Sequence, residues 1–375
     1  MRPAARVEDL HGFDTVIDAR SPAEFAIDHI PGAINCPVLD DEERRIVGTL
    51  YKQKGAFEAK RVGGAMVAVN LATHLRQAFS DRPIQWKPLI YCWRGGMRSG
   101  SMTTWLRLVG WDAQQLSGGY KSWRRHVIDV IESQSPQLPL VVIGGATGSA
   151  KTRVLQALEV RGEQVLDLEG IARHKGSLLG ALPDEAQPSQ TGFETELGAA
   201  LERFDLARPV YVEAESRRIG RISVPTPLLM HMRQSTCVEI VADVDTRVEY
   251  LLRDYAYLGD RPDWLAEQLG HLREMQGNET VSRWQAWAHE RALEPLFTEL
   301  TARHYDPAYA RSQSTNYRLW EQRLRMPAAT LSPDGIAALA EKIAQQIGQD
   351  SRLVMRSTAP ASSSSNLGIP DAAET

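Results

Sequence analysis

Hydrophobic positions along the chain gather in short apolar runs, each ending in polar, turn-forming residues. Residues 15–20 (TVIDAR) and 88–92 (PLIYC) read as buried parallel strands with a site at their C-terminal ends. Between them, residues 39–81 show helical spacing and predict two helices. Residues 117–134 (SGGYKSWRRHVIDVIESQ) run into SPQLP, a proline-rich break that closes a first unit. A second unit then opens with strand LPLVVIG, glycine-rich loop GATGSAKT, helix RVLQALEVRG and strand EQVLDLEG. Further strands are expected at RPVYVEAES and TCVEIVAD. Residues from about 245 to 348 read as mostly helix, with Trp284, Trp287 and Leu293 on apolar faces. The pattern predicts an α/β protein of two domains, residues 1–135 and 136–349, the second with a helical C-terminal part. Residues 350–375, rich in Ser, Ala and Pro, are expected to form a disordered tail.

Composition narrows the class of protein. A chain of 375 residues is long for one core, which supports two domains. Its 43% hydrophobic and 24% charged residues are those of an ordinary soluble protein. A formal net charge of −4 gives no sign of a general nucleic-acid binder and leaves a local basic patch as the route to RNA. Cys36, Cys92 and Cys237 lie far apart, which argues against a disulfide scaffold or structural zinc and fits a reducing compartment. The first residues lack an apolar run and no stretch reaches membrane-spanning length, so a cytoplasmic protein with no membrane partner is expected.

The stretch YCWRGGMRSG (91–100) changes the picture. Cys92 stands between a strand end and a helix start, where backbone dipoles stabilise a thiolate or a bound anion. Arg94 and Arg98 add positive charge, and Gly95 and Gly96 permit a tight backbone cup. A cysteine that merely ends a core strand seldom has two arginines and two glycines so close behind it. Cys92 is therefore the candidate catalytic residue, with Arg94, Gly95, Gly96 and Arg98 as candidate oxyanion binders. These residues alone leave a phosphatase, a sulfur carrier and a carrier of a heavier element all open.

GGATGSAKT (144–152) lies between a strand and a helix, the context of a P-loop NTPase-like fold. Gly145, Gly148, Ser149, Ala150, Lys151 and Thr152 are the candidate diphosphate binders. Lys151 would neutralise the anion, and Thr152 would reach a magnesium ion. Ala150 stands where the Walker pattern expects its second glycine, so ordinary nucleotide hydrolysis is not assumed. Asp167, Glu213 and Glu215 are candidate metal acids, with helix capping or surface charge as the plainer alternative. Arg217, Arg218 and Arg221 suit a phosphate or an RNA backbone, or else a solvated helix face. His174 and Lys175 are candidates for the diphosphate or RNA, with a helix-terminal role for His174 equally open. No metal is assigned with certainty, and Mg2+ is the one considered.

Two resemblances give these loops a context. IDARSPAEFAIDHIPGAINCP, with Asp18, Arg20, Glu24, His29 and the turn Pro31-Gly32-Ala33, resembles the signature of rhodanese domains. LSGGYKSWR (116–124) is similar to the segment that closes such a domain. The spacing Cys-x5-Arg is one residue longer than in common rhodaneses and is shared with cysteine phosphatases. Those phosphatases commonly place His where this chain has Tyr91. A rhodanese-like half followed by a phosphate-loop half resembles the tRNA 2-selenouridine synthase family, to about residue 349. DDEERRIVGTLYKQKG, DLEGIARHKGSLLG, QPSQTGFETEL, VEAESRRIG and HYDPAYARS extend the resemblance.

The resemblance implies a transferase acting on tRNA that bears wobble 2-thiouridine. Geranyl diphosphate would alkylate the 2-sulfur, and selenium from selenophosphate would then replace it. Cys92 would carry the selenium as a selenosulfide, with no tightly bound cofactor and a selenophosphate-producing enzyme as a candidate partner. Tyr51 and Lys52 lie in a helical insertion open to RNA or to the second domain. NYRLWEQRLR (316–325) is a candidate for RNA backbone contacts, while helical spacing favours packing over base stacking for Trp284 and Trp287. Two rivals stay in view. One is a sulfurtransferase gated by a nucleotide-binding P-loop domain, the other a sensor of a phosphorylated ligand.

Overall fold

The computed structural model describes residues 4–182 and 185–349, so the expectation for residues 350–375 lies outside the described residues. β-Branched Thr15, Val16 and Ile17 build β1 (Thr15–Asp18), which lies parallel to β2 (Ile34–Asn35) and β3 (Pro88–Tyr91). With β4 (Gln114–Gln115) they form a parallel sheet in the order β2-β1-β3-β4. The β1–β3 register pairs Asp18 with Tyr91, so both strands end at one edge of the sheet. The connections are α1 (Pro22–Ile27), α2 (Asp41–Lys54) with α3 (Ala56–Gln77), and α4 (Met97–Val109). Asp40 caps α2 by accepting from the Glu43 N–H at 2.8 Å, while the Glu43 side chain returns to the Asp40 N–H.

Asp18 and Arg20 of the rhodanese-like signature are buried scaffolding. Buried Arg20 donates to Asp18 and to the Asp28 carbonyl oxygen at 2.7 Å, and its guanidinium lies 3.9 Å from the centre of the Tyr120 ring. Burying that cation is tolerated because it is both paired and stacked.

Helix α5 (Tyr120–Gln134) and a single 3-10 turn, Ser135–Gln137, lead into the second sheet. This sheet is also parallel and runs β11-β10-β5-β7-β6. Its strands are β5 (Leu140–Gly145), β6 (Gln164–Leu166), β7 (Val210–Glu213), β10 (Thr236–Val241) and β11 (Leu324–Pro327). A small antiparallel ribbon, β8 (Arg218–Ile219) with β9 (Ile222–Ser223), stands apart from it. Strand order reverses at β5, the position at which ligands bind in open α/β sheets. Around the sheet lie α6 (Lys151–Val160), α7 (Leu168–Ala172), α8 (Gln190–Leu201) and α9 (Thr226–Met232).

Beyond β10 the chain is mostly helical, as its spacing predicts. It runs through α10 (Val244–Asp254), α11 (Pro262–Gly270), α12 (Arg273–Gln276), α13 (Asn278–His289), α14 (Leu293–Leu300), α15 (Asp306–Asn316) and α16 (Pro333–Gln349). A π-helical turn, Thr301–Tyr305, joins α14 to α15. Strand β11 is a short exception within this mostly helical region, one that the sequence pattern did not single out. Four residues at a sheet edge are too short to show a period of two. Trp284 is fully buried and donates to Glu299 at 3.0 Å, which removes it as a base-stacking candidate, while Trp287 and Leu293 are half-buried.

Helix α5 serves both sheets. Its Trp123, Val127 and Ile131 share one continuous apolar cluster with Leu89 and Tyr91 of β3 and with Val142 and Val212 of the second sheet. Phe193 and Leu197 of α8 complete that contact.

Candidate active sites: a cysteine loop and a phosphate-loop cleft

Cys92 follows β3 and is only 3% exposed. Its sulfur accepts a hydrogen bond from Ser99 Oγ at 3.1 Å, on the first turn of α4. The LSGGY segment forms the floor of the loop: Tyr120 N–H donates to the Cys92 carbonyl at 2.8 Å and Lys121 N–H to that of Trp93 at 3.1 Å. This close approach requires Gly119, at φ 59°, since a Cβ there would stand 2.1 Å from the Cys92 oxygen. Gly95, at φ 65°, meets the Leu116 carbonyl in the same way, and Gly96 caps α4. Gln115 ties the far side, donating to Gly95 O at 2.7 Å and to Ser99 Oγ at 2.8 Å.

The two arginines part company. Arg98 is paired with both carboxylate oxygens of Glu24, the second contact at 3.2 Å. Burial pushes the Glu24 carboxyl up, and the Arg98 guanidinium outweighs it, leaving it below the ordinary range. Arg98 thus stands beside the loop with its charge already compensated. Arg94 is exposed.

The second site lies where β5 meets α6. Gly145 (φ 154°) and Gly148 (φ 85°) shape the turn, and Ala150 adopts a left-handed backbone at φ 58° before α6. That geometry explains the glycine of the Walker pattern, and here an alanine accepts the strain. Ser149 is buried behind the loop, against Gly145. Lys151 donates to the Gly145 carbonyl at 3.1 Å and lies 3.5 Å from Glu213.

Thr152 Oγ1 is 3.0 Å from carboxylate oxygens of both Glu169 and Glu213. One hydroxyl has one proton to donate, so a carboxyl must supply the other. Glu169 qualifies: burial, and then the charge of Glu213, push its carboxyl up to about 8. Burial and the charges of Glu213 and Glu169 also raise Glu215 well above the ordinary range. Ligand atoms of Glu169, Glu213 and Glu215 lie within 4.8 Å of one another. An all-oxygen donor set of this kind, with Thr152 beside it, fits a hard divalent cation such as magnesium.

These groups open on a cleft of about 410 Å³, within the range of ligand sites. Lys175 also lines it, bound to Asp254 at 2.7 Å and lying 4.2 Å from the Tyr255 ring centre. Asp167 does not join the three glutamates. It caps α7, accepting from Gly170 N–H at 2.8 Å, and Glu169 two residues on reaches Thr152 instead. Arg217 and Arg218 are exposed at the β8–β9 ribbon and are not among the cleft lining. His174 is buried outside the cleft, and burial lowers its pKa. Arg221 donates to the Gln187 carbonyl.

Sequence reasoning missed Glu169, Gln313 and Arg247. Arg247 grips Asp306 through two bonds of 2.8 Å and donates to the Thr147 carbonyl at 3.0 Å, fixing α15 to the phosphate loop. Nothing in the sequence near Arg247 marks it, because Thr147 and Asp306 lie far off along the chain, while Gln313 follows directly on the segment HYDPAYARS. Glu169 had a signal, an acid just after a strand, which Asp167 shared.

Comparison with known proteins bears on both halves. Residues 4–126 match the rhodanese-like domain and residues 138–261 the tRNA 2-selenouridine synthase AAA domain. Three similar proteins are each named tRNA 2-selenouridine synthase. That of Nitrosomonas europaea is 40% identical over 244 residues, covering 64% of this chain and 63% of that protein. The Nitrosomonas eutropha protein is 39% identical, covering 64% of this chain and 62% of its own length. These two alignments thus span less than two thirds of the relatives they match. The Alcanivorax borkumensis protein is 34% identical over 327 residues, covering 78% of this chain and 88% of that protein. With both halves matched in this order, and that relative covered over most of its length, the chain belongs to the tRNA 2-selenouridine synthase family.

Proposed function

We propose that this protein is a transferase that converts wobble 2-thiouridine of tRNA to 2-selenouridine in two steps. The observation that carries the reading is the pairing, on one continuous core, of a diphosphate-type cleft at Lys151 with a separate glycine-shaped cysteine loop at Cys92. Thiouridine sulfur is a poor leaving group, and alkylation turns it into a departing thiol. In the first step the 2-sulfur attacks the allylic carbon of geranyl diphosphate. The sulfur–carbon bond forms, the carbon–oxygen bond breaks, and the proton lost from N3 ends on the released diphosphate. Lys151 and the loop N–H groups bind the charge that develops on that leaving group. Thr152, Glu169, Glu213 and Glu215 would hold a magnesium ion, which when bound adds charge neutralisation at the same place.

In the second step the selenium–phosphorus bond of selenophosphate breaks, its phosphoryl group passing to water as phosphate. The released selenide bonds to C2 as the geranylated sulfur leaves as the thiol, and N3 regains a proton from solvent. Cys92, with Ser99 donating to its sulfur, lies in the loop that would receive the donor and hold its selenium at the selenide level until it reaches C2. Arg94 is the exposed cation beside it for the donor's phosphate. A tRNA substrate places the reaction in the cytoplasm, where a selenophosphate-producing enzyme supplies the donor. The names of the relatives support this reading. Among the described residues no helix is long and apolar enough to cross a membrane.

The test is nucleoside mass spectrometry on 2-thiouridine tRNA incubated with protein, geranyl diphosphate and selenophosphate, each donor omitted in turn. Selenouridine should form only with both donors. Cys92→Ala should stop at the geranylated nucleoside and Lys151→Ala should leave thiouridine. Thiouridine untouched in every tube, with intact tRNA and protein, would overturn the assignment in favour of a nucleotide-gated sulfurtransferase.

A further inference from the structure

The cleft wall formed by α15 carries a polar group that the chain itself does not use. Tyr305, Tyr309 and Gln313 line the cleft at intervals of four residues, a single stripe along the helical segment. Gln313 is 5% exposed, and its amide oxygen makes no hydrogen bond within the described residues. A buried carbonyl oxygen left unpaired is costly, and one that lines a ligand cleft is completed by what the cleft binds.

The wall is held firmly. At its start, Asp306 is gripped by Arg247, which also holds the Thr147 carbonyl of the phosphate loop. At its end, Tyr317 donates to the Glu215 carbonyl at 3.1 Å, tying the helix to the end of β7. Gln313 is therefore fixed relative to Lys151 and the glutamates, as a binding group must be.

The chemistry of the group selects its partner. A carboxamide presents an acceptor and donors side by side, the complement of another amide edge. The N3–H and C4 carbonyl of a uracil-type base form such an edge. Tyr309, one turn before Gln313, also lines the cleft and puts an aromatic ring in the wall that a base would enter.

We propose that Gln313 holds the acceptor base in the cleft, its Nε2 donating to the C4 carbonyl and its Oε1 accepting from N3–H. This rests on the reading that alkylation takes place at the phosphate loop. Gripped on that edge, the base leaves its C2 sulfur free to face the diphosphate.

The experiment uses the full chain and an anticodon stem-loop RNA carrying either 2-thiouridine or its N3-methyl derivative, which lacks the N3 proton. Binding of each RNA is measured in the presence of geranyl diphosphate, whose own affinity is titrated separately. Wild-type protein should bind the N3-methyl RNA about tenfold more weakly. Gln313→Leu should bind the 2-thiouridine RNA about tenfold more weakly than wild type, bind both RNAs alike, and keep its affinity for geranyl diphosphate. Gln313→Glu, of the same size, keeps an acceptor but no donor and should also weaken binding, which covers a folding failure of the leucine variant. If the folded leucine variant still separates the two RNAs as wild type does, or the folded glutamate variant binds the 2-thiouridine RNA as tightly as wild type, the inference is overturned while the proposed function stands. If wild type alkylates neither RNA and binds neither, the functional reading itself fails and takes this inference with it.

Discussion

Glu169 shows at the scale of one residue how the cleft stores charge. Its carboxyl ordinarily titrates near 4.5, and burial beside Glu213 raises it to about 8. Between those values the folded protein keeps a proton that the unfolded chain has released. Stability therefore falls as pH rises through that window, and levels off above it. Glu169→Gln removes the titrating group while keeping its shape. Against wild type, its stability should rise as pH increases from 5 to 8. Urea unfolding at both pH values reads this directly, and parallel pH profiles for the two proteins would refute it. Ala150 stores cost differently, as backbone strain at φ 58°, where the Walker glycine would be at ease.

At the scale of elements, the cysteine loop depends on a segment that comes after it. The turn before α5 passes so close beneath the loop that only a glycine fits at 119. A methyl group there would meet the Cys92 oxygen at 2.1 Å and the Gly95 nitrogen at 2.5 Å. Both are backbone atoms, so neither can swing aside. Gly119→Ala should cost at least about 2 kcal/mol of stability and displace the loop. On the proposed function, selenium transfer should be lost with it. On the same two-step reading geranylation should persist, because Lys151 starts α6, after β5 of the other sheet. Denaturant unfolding with nucleoside mass spectrometry of the same variant separates these effects, and retained selenouridine formation would show the floor to be dispensable.

Across the whole molecule, α5 makes the two sheets one cooperative body. Asp28, between β1 and β2, accepts from Tyr120 of α5 at 2.6 Å and from Thr195 of α8 at 3.0 Å. Ser189, capping α8, donates to the Ile27 carbonyl at 2.6 Å. Burial outweighs these donors and leaves Asp28 above its ordinary range, a sign of how dry the junction is. Heating should therefore give one calorimetric transition with matching calorimetric and van't Hoff enthalpies. Two resolved transitions would mean that the halves unfold independently and that the shared core contributes little.

The sequence by itself determined what depends on near neighbours in the chain. The buried strands at 15–18, 88–91 and 140–145 declare themselves by apolar runs ending in turn residues, and both loops by their glycines and cations. It also placed Trp284 among packing residues, since helical spacing is a local property. Tertiary structure alone decided which charges are free. Arg98 is compensated by Glu24, from 74 residues earlier, and Asp167 is a cap while Glu169 reaches Thr152. It also decided that Gln313, far along the chain, faces the phosphate loop. The physical reason is that hydrogen bonds and ion pairs depend on distance in space and on burial. A pattern along the chain records spacing and direction, but neither of those quantities.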